Sequence, residues 1–451
     1  MKNSGPVRTA MTMSVGMFIL FFLYQISLWS ISSSTSPNIT VKSQSQGKQA
    51  QELNSESVLT KIPPPVVSCD RSHYRYDLCH LNGSTMLDPV TSTLFLLDPN
   101  ESTPPQTVTI HPYPRKFENF TMSRTKEFTL TTISPSKAHC DVYHDFPALV
   151  FSTGGYTGNV FHDFNEGFIP LFVTLRTIFS SQAPVFVIAN FGEWWLSKYD
   201  EIIRQLTPHP VIVLANENVT HCFSSATIGL ITHGFMSINP RLLPHSETFY
   251  SFRSLLGNAY LHSNHELWGL TLSKPRLLLA SRKRGAGRVI RNQAEVIQVA
   301  EKLGFEVVLF EPSNNTLMRD AYSLINSSHA MIGVHGAALT HFLFLRPGAV
   351  FIQVVPVGIE WLAETCFGNI AKNYGVEYME YKITVNESSL VEKYGMDYVV
   401  SHDPDALMRT SYLEFKKIYL VDQDVILDLK RVGNYLKKAY KKAKRFMEKD
   451  V

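Results

Sequence analysis

Cysteine is scarce in this chain, and the signature motifs of two large classes of site are missing. The 451 residues include five cysteines but no Cys-x-x-Cys pair, which argues against a structural zinc site. No Gly-x-x-x-x-Gly-Lys-Ser/Thr motif occurs, which excludes a P-loop. The formal net charge is only +3, and its one strongly basic stretch, Lys430–Val451, holds nine basic and two acidic residues. This balance gives no indication of a nucleic-acid partner.

The few cysteines present favour disulfide bonds over metal binding. Cys69 and Cys79 lie close together in a polar segment, which predicts a local disulfide in an oxidising compartment. Cys140 and Cys222 are candidates for a second bridge that leaves Cys366 free, although other pairings remain open. The chain is therefore compatible with folding in the secretory pathway.

Charge is absent from Ala10–Ile31, a stretch of 22 residues rich in Met, Phe, Ile and Leu. A helix of that length is long enough to span a bilayer. Lys2 and Arg8 precede the stretch, so the positive-inside bias places residues 1–9 in the cytoplasm. We interpret residues 10–31 as a transmembrane signal anchor, and a cleaved signal peptide is the alternative.

The sequence after this anchor is typical of a lumenal protein. Residues 32–67 are rich in Ser, Gln, Thr and Pro and hold few large apolar residues, which predicts a flexible stem. Asn-x-Ser/Thr glycosylation acceptors occur at Asn38, Asn82, Asn100, Asn119, Asn218, Asn314, Asn326 and Asn386. Because all eight follow the anchor, they favour a glycoprotein of the secretory lumen.

Residues 68–255 alternate between strand and helix patterns after an irregular start. From Cys69 to about Cys140 the chain shows short β-type runs broken by Pro, Asn and Ser, but their periodicity is weak, and we expect only a loop-rich lead-in. Beyond it, strands are predicted at Pro147–Ser152, Pro184–Asn190 and Val211–Ala215, and helices at Asn165–Phe179 and Trp194–Leu206. This alternation predicts a parallel sheet with helices on its faces, in an N-terminal Rossmann-like domain.

The same alternation returns in residues 256–428. Strands are predicted at Arg276–Ala280, Phe305–Phe310, Ala330–Val334 and Ala349–Val355, and helices at Arg288–Leu303, Leu317–Ile325 and Ala337–Leu345. Four strands with three helical connections predict a nucleotide-binding α/β unit. The expected fold is therefore α/β, with two Rossmann-like domains facing each other across a cleft.

Residues 429–451 form a basic, amphipathic C-terminal segment. Its apolar residues recur at intervals of three and four, which predicts a surface helix packed by one stripe. Contact with a membrane or an acidic polymer is the alternative for its lysine-rich face.

Two segments at the ends of predicted strands are suited to binding a phosphorylated ligand. Ser281–Arg288 follows one strand and opens a helix, so its backbone N–H groups and basic side chains are placed to face a diphosphate. Gly333–Ala337 occupies the equivalent position after another strand. The structural alternatives are a solvated basic loop and a turn histidine bonded to the backbone. The candidate residues are Arg282, Lys283, Arg284, Arg288, His335, Gly336 and Ala337.

A third segment carries side chains suited to acid–base chemistry. His162, Asp163 and Glu166 follow the glycine-rich turn Gly154–Asn159. Each can accept a proton from a hydroxyl group. A helix N-cap for Asp163 and a surface position for Glu166 are the structural alternatives. The sequence does not single out one of the three as the base.

Several short motifs occur in a fixed order between Cys69 and Leu429. They are Cys69…Cys79, Phe151–Asn159 with His162–Phe164, Ser281-Arg282, Gly333–Ala337, Phe344–Gly348, Gln353–Pro356, Glu360-Trp361 and Glu380–Ile383. Together they resemble the plant members of glycosyltransferase family 61. The resemblance implies a type II Golgi membrane enzyme of GT-B fold that uses a UDP-sugar, inverts configuration at the sugar and has no obligatory metal or other cofactor.

The resemblance also implies roles for individual residues. It places Arg282, His335 and Gly336 at the UDP-sugar and His162 with Asp163 at the cleft. The basic loop holds more glycine than is usual in the family, so Arg284 and Arg288 remain alternatives for a second arginine.

Ile418–Asp424 looks like a hydrophobic strand that ends in Asp-x-Asp, which is a metal–nucleotide site in a different glycosyltransferase fold. Only the tail helix follows this segment. We therefore expect Asp422 and Asp424 to be two exposed acids before a helix, not a metal site.

The function expected from this resemblance is transfer of a pentose, arabinofuranose or xylose, from a UDP-sugar to xylan during cell-wall synthesis. A β-1,2-xylosyltransferase of N-glycans is the alternative within the class. A non-catalytic lumenal glycan-binding or assembly subunit is the alternative from another class. The partners implied are the UDP-pentose, a glycan acceptor and the Golgi membrane, and membership of a Golgi enzyme complex stays open.

Overall fold

A computed structural model describes residues 66–98, 107–190, 192–261, 273–283 and 285–449. The predicted anchor, most of the stem, the acceptors Asn38 and Asn100, and Arg284 lie outside these residues. Among the described residues, no helix is both long enough and apolar enough to cross a membrane.

The described strands fall into three sheets. In chain order they are β1 Val66–Asp70, β2 Leu78–Asn82, β3 Thr85–Asp88, β4 Thr93–Leu97, β5 Val108–Ile110, β6 Phe128–Ile133, β7 Val142–Tyr143, β8 Ala148–Ser152, β9 Val185–Ala189, β10 Ile212–Val213, β11 His221–Phe223, β12 Ala226–Ile228, β13 Arg276–Ala280, β14 Glu306–Phe310, β15 Ala330–Val334, β16 Val350–Val355 and β17 Glu377–Lys382.

Helices connect and cover these strands. The α-helices are Asn119–Met122, Val160–His162, Ile169–Ile178, Glu193–Leu206, Phe249–Tyr260, Gln293–Lys302, Met318–Asn326, Glu360–Ala363, Asn369–Tyr374, Leu390–Tyr394, Met396–Ser401, Pro404–Thr410, Tyr412–Phe415 and Leu429–Lys449. The 3₁₀ segments are Pro135–Lys137, Leu214–Asn216, Pro240–Leu242, Ala337–Phe344 and Val385–Glu387. Within the described residues, three π-helical turns occur, at Asp163–Phe168, Glu364–Gly368 and Lys416–Val421.

The first sheet contains the predicted parallel strands of the N-terminal half. Its order is β1-β2-β12-β8-β9-β10, and β12, β8, β9 and β10 run parallel. Strands β8 and β9 are buried along their whole length, as their nearly continuous apolar sequences predict. The predicted strands and helices of this half are confirmed to within a few residues at most ends, although β10 is shorter than predicted and continues as a 3₁₀ turn.

The expectation of a loop-rich lead-in was wrong. Residues 66–133 supply strands β1–β6, and most of them build a second, mixed sheet of order β5-β6-β4-β3-β11-β7. Apolar side chains of this sheet pack against one face of the first sheet. Helices therefore cover only the other face of the first sheet, and the N-terminal half departs from the predicted pattern of helices on both faces.

The C-terminal half is a five-stranded sheet with all strands parallel. Its order is β14-β13-β15-β16-β17. The predicted strands at β13 and β15 are confirmed with the same bounds, whereas the edge strand β17 was missed. The predicted helix from Arg288 begins only at Gln293, and the predicted helix Ala337–Leu345 is a 3₁₀ segment.

One hydrophobic core runs from the helices of the first sheet to one face of the C-terminal sheet. The opposite face of the C-terminal sheet packs against helices Gln293–Lys302 and Leu429–Lys449. The tail helix buries the stripe Val432, Leu436, Ala439 and Ala443, which confirms packing by one stripe. Helix Phe249–Tyr260 crosses the boundary that we predict at residue 255, and the domain limits stay a prediction.

Both disulfide predictions are confirmed. Cys69 and Cys79 face each other across the β1–β2 pair, and Cys140 is bonded to Cys222. Cys366 is a free, buried thiol.

The structure sorts the glycosylation acceptors by exposure. Asn82, Asn119, Asn218, Asn314 and Asn386 are exposed, whereas Asn326 is only 5% exposed, in helix Met318–Asn326. A folded chain has no room for a glycan at Asn326, and the structure argues against that predicted acceptor.

Enzymatic deglycosylation in heavy-oxygen water, read by mass spectrometry, is expected to label a subset of the exposed acceptors and never Asn326. Heavy-oxygen label at Asn326 in folded protein from the secretory pathway would contradict the burial of this side chain.

Candidate active site

The C-terminal sheet reverses its strand order between β13 and β15, which have neighbours on opposite sides. In parallel sheets, ligands bind outside the carboxyl ends of the strands at such a switch point. The predicted donor segments Ser281–Arg288 and Gly333–Ala337 leave these two strands at that end. The topology therefore brings together two segments whose first residues, Ser281 and Gly333, are 52 positions apart in the chain.

Two arginine guanidinium groups converge on Gly336. A Cβ atom at Gly336 would collide with the guanidinium of Arg282 and would lie 3.0 Å from Nη1 of Arg288. The φ angle of Gly336 is 149°, where side chains are rarely tolerated. Arg288 Nη1 also donates a 3.1 Å hydrogen bond to the His335 carbonyl oxygen. Both cations thus share one small space at the end of β15.

This arginine pair has no counter-ion among the described residues. Burial lowers the pKa of Arg282, and burial together with the charge of Arg282 lowers the pKa of Arg288 to about 9. No carboxylate contributes to either pKa shift. Arg288 Nε is also buried without a hydrogen-bond partner. Two close positive charges with unused donors favour binding of an anion such as a diphosphate.

His335 lies beneath this pair in a polar network. Its side chain is buried, and its Nδ1 lies 2.9 Å from the amide Nε2 of Gln353, whose Oε1 accepts a 2.7 Å hydrogen bond from Tyr378. Burial and the charges of Arg288 and Arg282 hold the pKa of His335 well below its ordinary value. A neutral His335 that accepts from Gln353 at Nδ1 carries its proton on Nε2 and can act as a hydrogen-bond donor.

A cavity of about 740 Å³ adjoins the basic loop, within the range of small-molecule sites. Its lining includes Arg282 and the exposed Lys283, together with the start of helix Gln293–Lys302. Ala337 is half-buried at the start of the 3₁₀ segment. The predicted donor residues that the structure describes thus lie around one end of the C-terminal sheet.

On the N-terminal side, His162 is paired with Glu166 across a π-helical turn, Asp163–Phe168. His162 Nδ1 lies 2.8 Å from Glu166 Oε2, and the Tyr156 ring stacks on the imidazole with centroids 4.5 Å apart. Irregular turns of this kind inside a helix are frequent at functional sites. The His162 side chain is 21% exposed, whereas that of Glu166 is 1% exposed.

Arg115 is the third member of this cluster and binds the Glu166 carboxylate. Its Nε and Nη2 donate to Glu166 Oε1 at 2.7 and 2.6 Å, and its Nη1 lies 2.5 Å from Glu118 Oε1. Burial alone would raise the pKa of Glu166, but the charges of Arg115 and His162 lower it to about 2. Glu166 is therefore ionised and accepts a hydrogen bond from His162 Nδ1. The Nε2 atom of a neutral His162 is then left as a proton acceptor.

The structure distinguishes the three predicted base candidates. Asp163 is buried, where it accepts hydrogen bonds from the Gly158 N–H at 3.1 Å and the Tyr199 hydroxyl at 2.8 Å. Burial raises the pKa of Asp163. Asp163 and Glu166 are thus occupied by protein partners, and Glu166 is not the surface acid that the alternative suggested. His162 is the candidate of the three that is partly exposed.

Aromatic rings connect the two sides of the site. Phe367, on the π-helical turn Glu364–Gly368, lies 5.6 Å from the Phe161 ring and 5.3 Å from the His335 ring, between centroids. Phe161 in turn lies 5.3 Å from the His162 ring. A series of ring contacts therefore links His162, in the predicted base segment, to His335, in a predicted donor segment.

Sequence reasoning missed Arg115 and Phe367. Arg115 lies in an irregular segment with no periodic signal, and the hydrogen bond that gives it a role spans 51 residues. Gln353 offered a clearer signal, because it is a polar residue inside an otherwise apolar, fully buried strand.

The Asp-x-Asp segment differs from its prediction. It follows a π-helical turn instead of a strand, and both carboxylates are half-buried and bonded to protein donors. Within the residues that the structure describes, no group of three or more His, Cys, Asp or Glu is arranged to hold a metal ion.

The chain is a mixed α/β structure with several sheets, in which basic groups lie at a parallel-sheet switch point with a paired histidine nearby. This arrangement is consistent with a glycosyltransferase fold. The family model "Glycosyltransferase 61" matches residues 161–352, which include His162, Arg282, Arg288 and His335. The chain is 38% identical over 415 residues to "Xylan glycosyltransferase MUCI21" of Arabidopsis thaliana, with 88% of this chain and 84% of the relative covered. The chain belongs to glycosyltransferase family 61, as its motifs predicted.

Two rice proteins are further relatives. "Beta-1,2-xylosyltransferase XYXT1" of Oryza sativa subsp. japonica is 34% identical, with 89% of this chain and 88% of the relative covered. "Alpha-1,3-arabinosyltransferase XAT3" of the same organism is 35% identical, with 80% of this chain covered but only 63% of the relative. The prediction that the chain is a glycosyltransferase is confirmed.

Proposed function

We propose that this chain transfers a pentose from a UDP-sugar to xylan, with inversion at the anomeric carbon. The observation that carries the proposal is the half-buried pair Arg282 and Arg288, which meets at Gly336 without a counter-ion among the described residues. A diphosphate supplies the missing negative charge, and its position at a switch point suits a nucleotide. The arrangement of two α/β halves supports the finer assignment to a GT-B fold.

The printed names of the relatives support the acceptor and the donor sugar. One relative is named for xylan, one for arabinosyl transfer and one for β-1,2-xylosyl transfer. Xylan is the acceptor in the first name, and the sugars in the other two names are both pentoses. Arabinofuranose and xylose are therefore the two donor sugars to test.

In the proposed mechanism, His162 is the general base. Its Nε2 accepts the proton of the acceptor hydroxyl as that oxygen attacks the anomeric carbon and the bond to UDP breaks. Ionised Glu166 stabilises the imidazolium that forms, and Arg115 holds the carboxylate in place. Arg282 and Arg288 offset the charge that develops on the departing diphosphate.

We further propose that the enzyme works in the Golgi lumen as a single-pass type II membrane protein, anchored through residues 10–31. The uncharged apolar stretch, the acceptors that follow it and the two disulfides support this location.

Replacing Arg282 with alanine is expected to weaken UDP binding by roughly 10- to 150-fold, because a hydrogen bond to a charged group contributes about 1.5–3 kcal/mol. Isothermal titration of the full chain in detergent measures the affinity. Arg204→Ala is the matched control, since Arg204 is 76% exposed and paired with Asp200 on a surface helix. Equal UDP affinities for Arg282→Ala, Arg204→Ala and wild type would rule out this donor site.

The acceptor and donor are tested by a matrix of UDP-xylose and UDP-arabinofuranose against xylo-oligosaccharides and N-glycans. Transfer to xylo-oligosaccharides is the expected result. Transfer to N-glycans alone would overturn the acceptor, and UDP binding without any transfer would point to the non-catalytic alternative.

A further inference from the structure

The segment that resembled a metal site, Asp422–Asp424, lies directly against the basic donor loop. The Arg288 N–H donates a 2.5 Å hydrogen bond to the Gln423 carbonyl oxygen. The Val289 N–H donates a 3.1 Å hydrogen bond to Asp424 Oδ1. Two further backbone bonds join Val425 to the same loop, at Val289 and Arg291. The loop after β13 is therefore held by a segment from the far end of the C-terminal half.

The backbone of this loop needs such support. Arg288 has a φ angle of 58°, which is uncommon for a residue with a side chain. Gly287 has a φ of 69°, and a Cβ atom there would collide with the Val421 carbonyl group. An arginine in the left-handed region persists only where its surroundings hold it, and such strain is common at ligand sites.

Asp424 is itself firmly placed. Its N–H donates a 2.7 Å hydrogen bond to Ser389 Oγ, and its Oδ2 accepts a 3.2 Å hydrogen bond from Arg291 Nε. The side chain is 24% exposed. Through its carboxylate and its backbone N–H, Asp424 thus connects Val289, the residue after Arg288, to Ser389 in a separate part of the fold.

We infer that Asp424 is a positioning residue for donor binding that acts through Arg288. By accepting the Val289 N–H, it holds Arg288 in the left-handed conformation that directs the guanidinium to Gly336. The inference rests on the proposed function, since it concerns how Arg288 meets the diphosphate. It gives the Asp-x-Asp segment a role without a metal: its carboxylate binds the protein loop that binds the nucleotide.

Titration of UDP into the full chain in detergent tests this role. Asp424→Ala removes the acceptor for the Val289 N–H and is expected to weaken UDP binding roughly 10- to 100-fold, as loss of one charge-assisted phosphate contact would. Asp424→Asn keeps an oxygen that can accept this bond, and it should retain most of the wild-type affinity. Arg291→Gln removes the ion pairs of Arg291 with Asp424 and Glu392 but keeps the bond from the Val289 N–H, and it is the matched control with the same expectation.

A double-mutant cycle separates positioning from general stability. If Asp424 acts through Arg288, adding Asp424→Ala to Arg288→Ala causes no further loss of UDP affinity. A merely structural role predicts that the two losses add. Ser389→Ala removes the acceptor of the Asp424 N–H and should give a smaller loss that also vanishes in the Arg288→Ala background. It serves as the test if Asp424→Ala does not fold.

The outcomes are distinguishable. Wild-type affinity in folded Asp424→Ala, or additive losses in the cycle, would overturn this inference alone. An absence of UDP binding by the wild type would overturn the proposed function and this inference with it.

Discussion

Replacing His162 with alanine is expected to lower kcat by about 10²–10⁴-fold, the range for removal of a general base. The histidine is the partly exposed member of its segment, and its Nδ1 is held by Glu166, which leaves Nε2 to take the acceptor proton. UDP affinity should not change, because the proposed donor contacts are Arg282 and Arg288. Steady-state kinetics with a xylo-oligosaccharide, alongside UDP titration, measures both quantities.

Asp163→Asn is the matched control for this prediction. Asp163 is adjacent in sequence and was an equal candidate, but its carboxylate is bonded to Gly158 and Tyr199. Asp163→Asn should lower the free energy of unfolding and have little effect on kcat. The assignment of the base would be wrong if folded Asp163→Asn lost activity while His162→Ala kept it.

Replacing Arg115 with alanine is expected to destabilise the fold by about 3–5 kcal/mol, because it leaves the buried Glu166 carboxylate without its main partner. The Arg115 side chain is 7% exposed and contacts both Glu166 and Glu118. Urea unfolding followed by tryptophan fluorescence gives the change in the free energy of unfolding.

Arg71→Ala supplies the comparison, since it breaks an ion pair of similar geometry at the surface. Arg71 Nη1 lies 2.6 Å from Asp77, but the arginine side chain is 43% exposed. The expected cost is below about 1 kcal/mol. Equal decreases in the free energy of unfolding for Arg115→Ala and Arg71→Ala would show that the buried ion pair contributes no more to stability than the surface pair.

The stability contributed by Glu166 should also depend on pH in a defined window. Its pKa is lowered from the ordinary value of 4.5 to about 2, so the contribution is complete above pH 4.5 and is lost as the pH falls toward 2. The difference in unfolding free energy between wild type and Arg115→Ala should therefore narrow across that window. A constant difference would argue that Glu166 is not the group that Arg115 stabilises.

The sequence predicted the C-terminal sheet well, because three of its strands, β13, β15 and β16, are largely apolar and buried on both faces. The bounds of β13 and β15 agree with the prediction for that reason, and both donor segments were recognised from their place after these strands. Edge strand β17 was missed because its sequence, Glu-Tyr-Met-Glu-Tyr-Lys, mixes charged with apolar residues.

The N-terminal lead-in was mispredicted for a different reason. Strands β3–β6 are three to six residues long, and their stability comes from pairing and from packing on the first sheet instead of local pattern. Tertiary contacts of this kind leave little trace in a short window of sequence.

The identity of the base candidate also depended on long-range contacts. His162, Asp163 and Glu166 are equivalent by residue type, and only Arg115, Gly158 and Tyr199 distinguish them in the fold. The same holds for Asp424, whose partner Val289 is 135 residues away. Local patterns identified the segments that matter, whereas the role of each side chain required the structure.

A crystal structure of the protein with bound UDP tests the central claim most directly. The diphosphate is expected at Gly336, with its oxygens within about 3 Å of the Arg282 and Arg288 guanidinium groups and the nucleotide over the ends of β13 and β15. A diphosphate bound instead at Asp422 and Asp424 through a metal ion, with Arg282 and Arg288 left unoccupied, would contradict it.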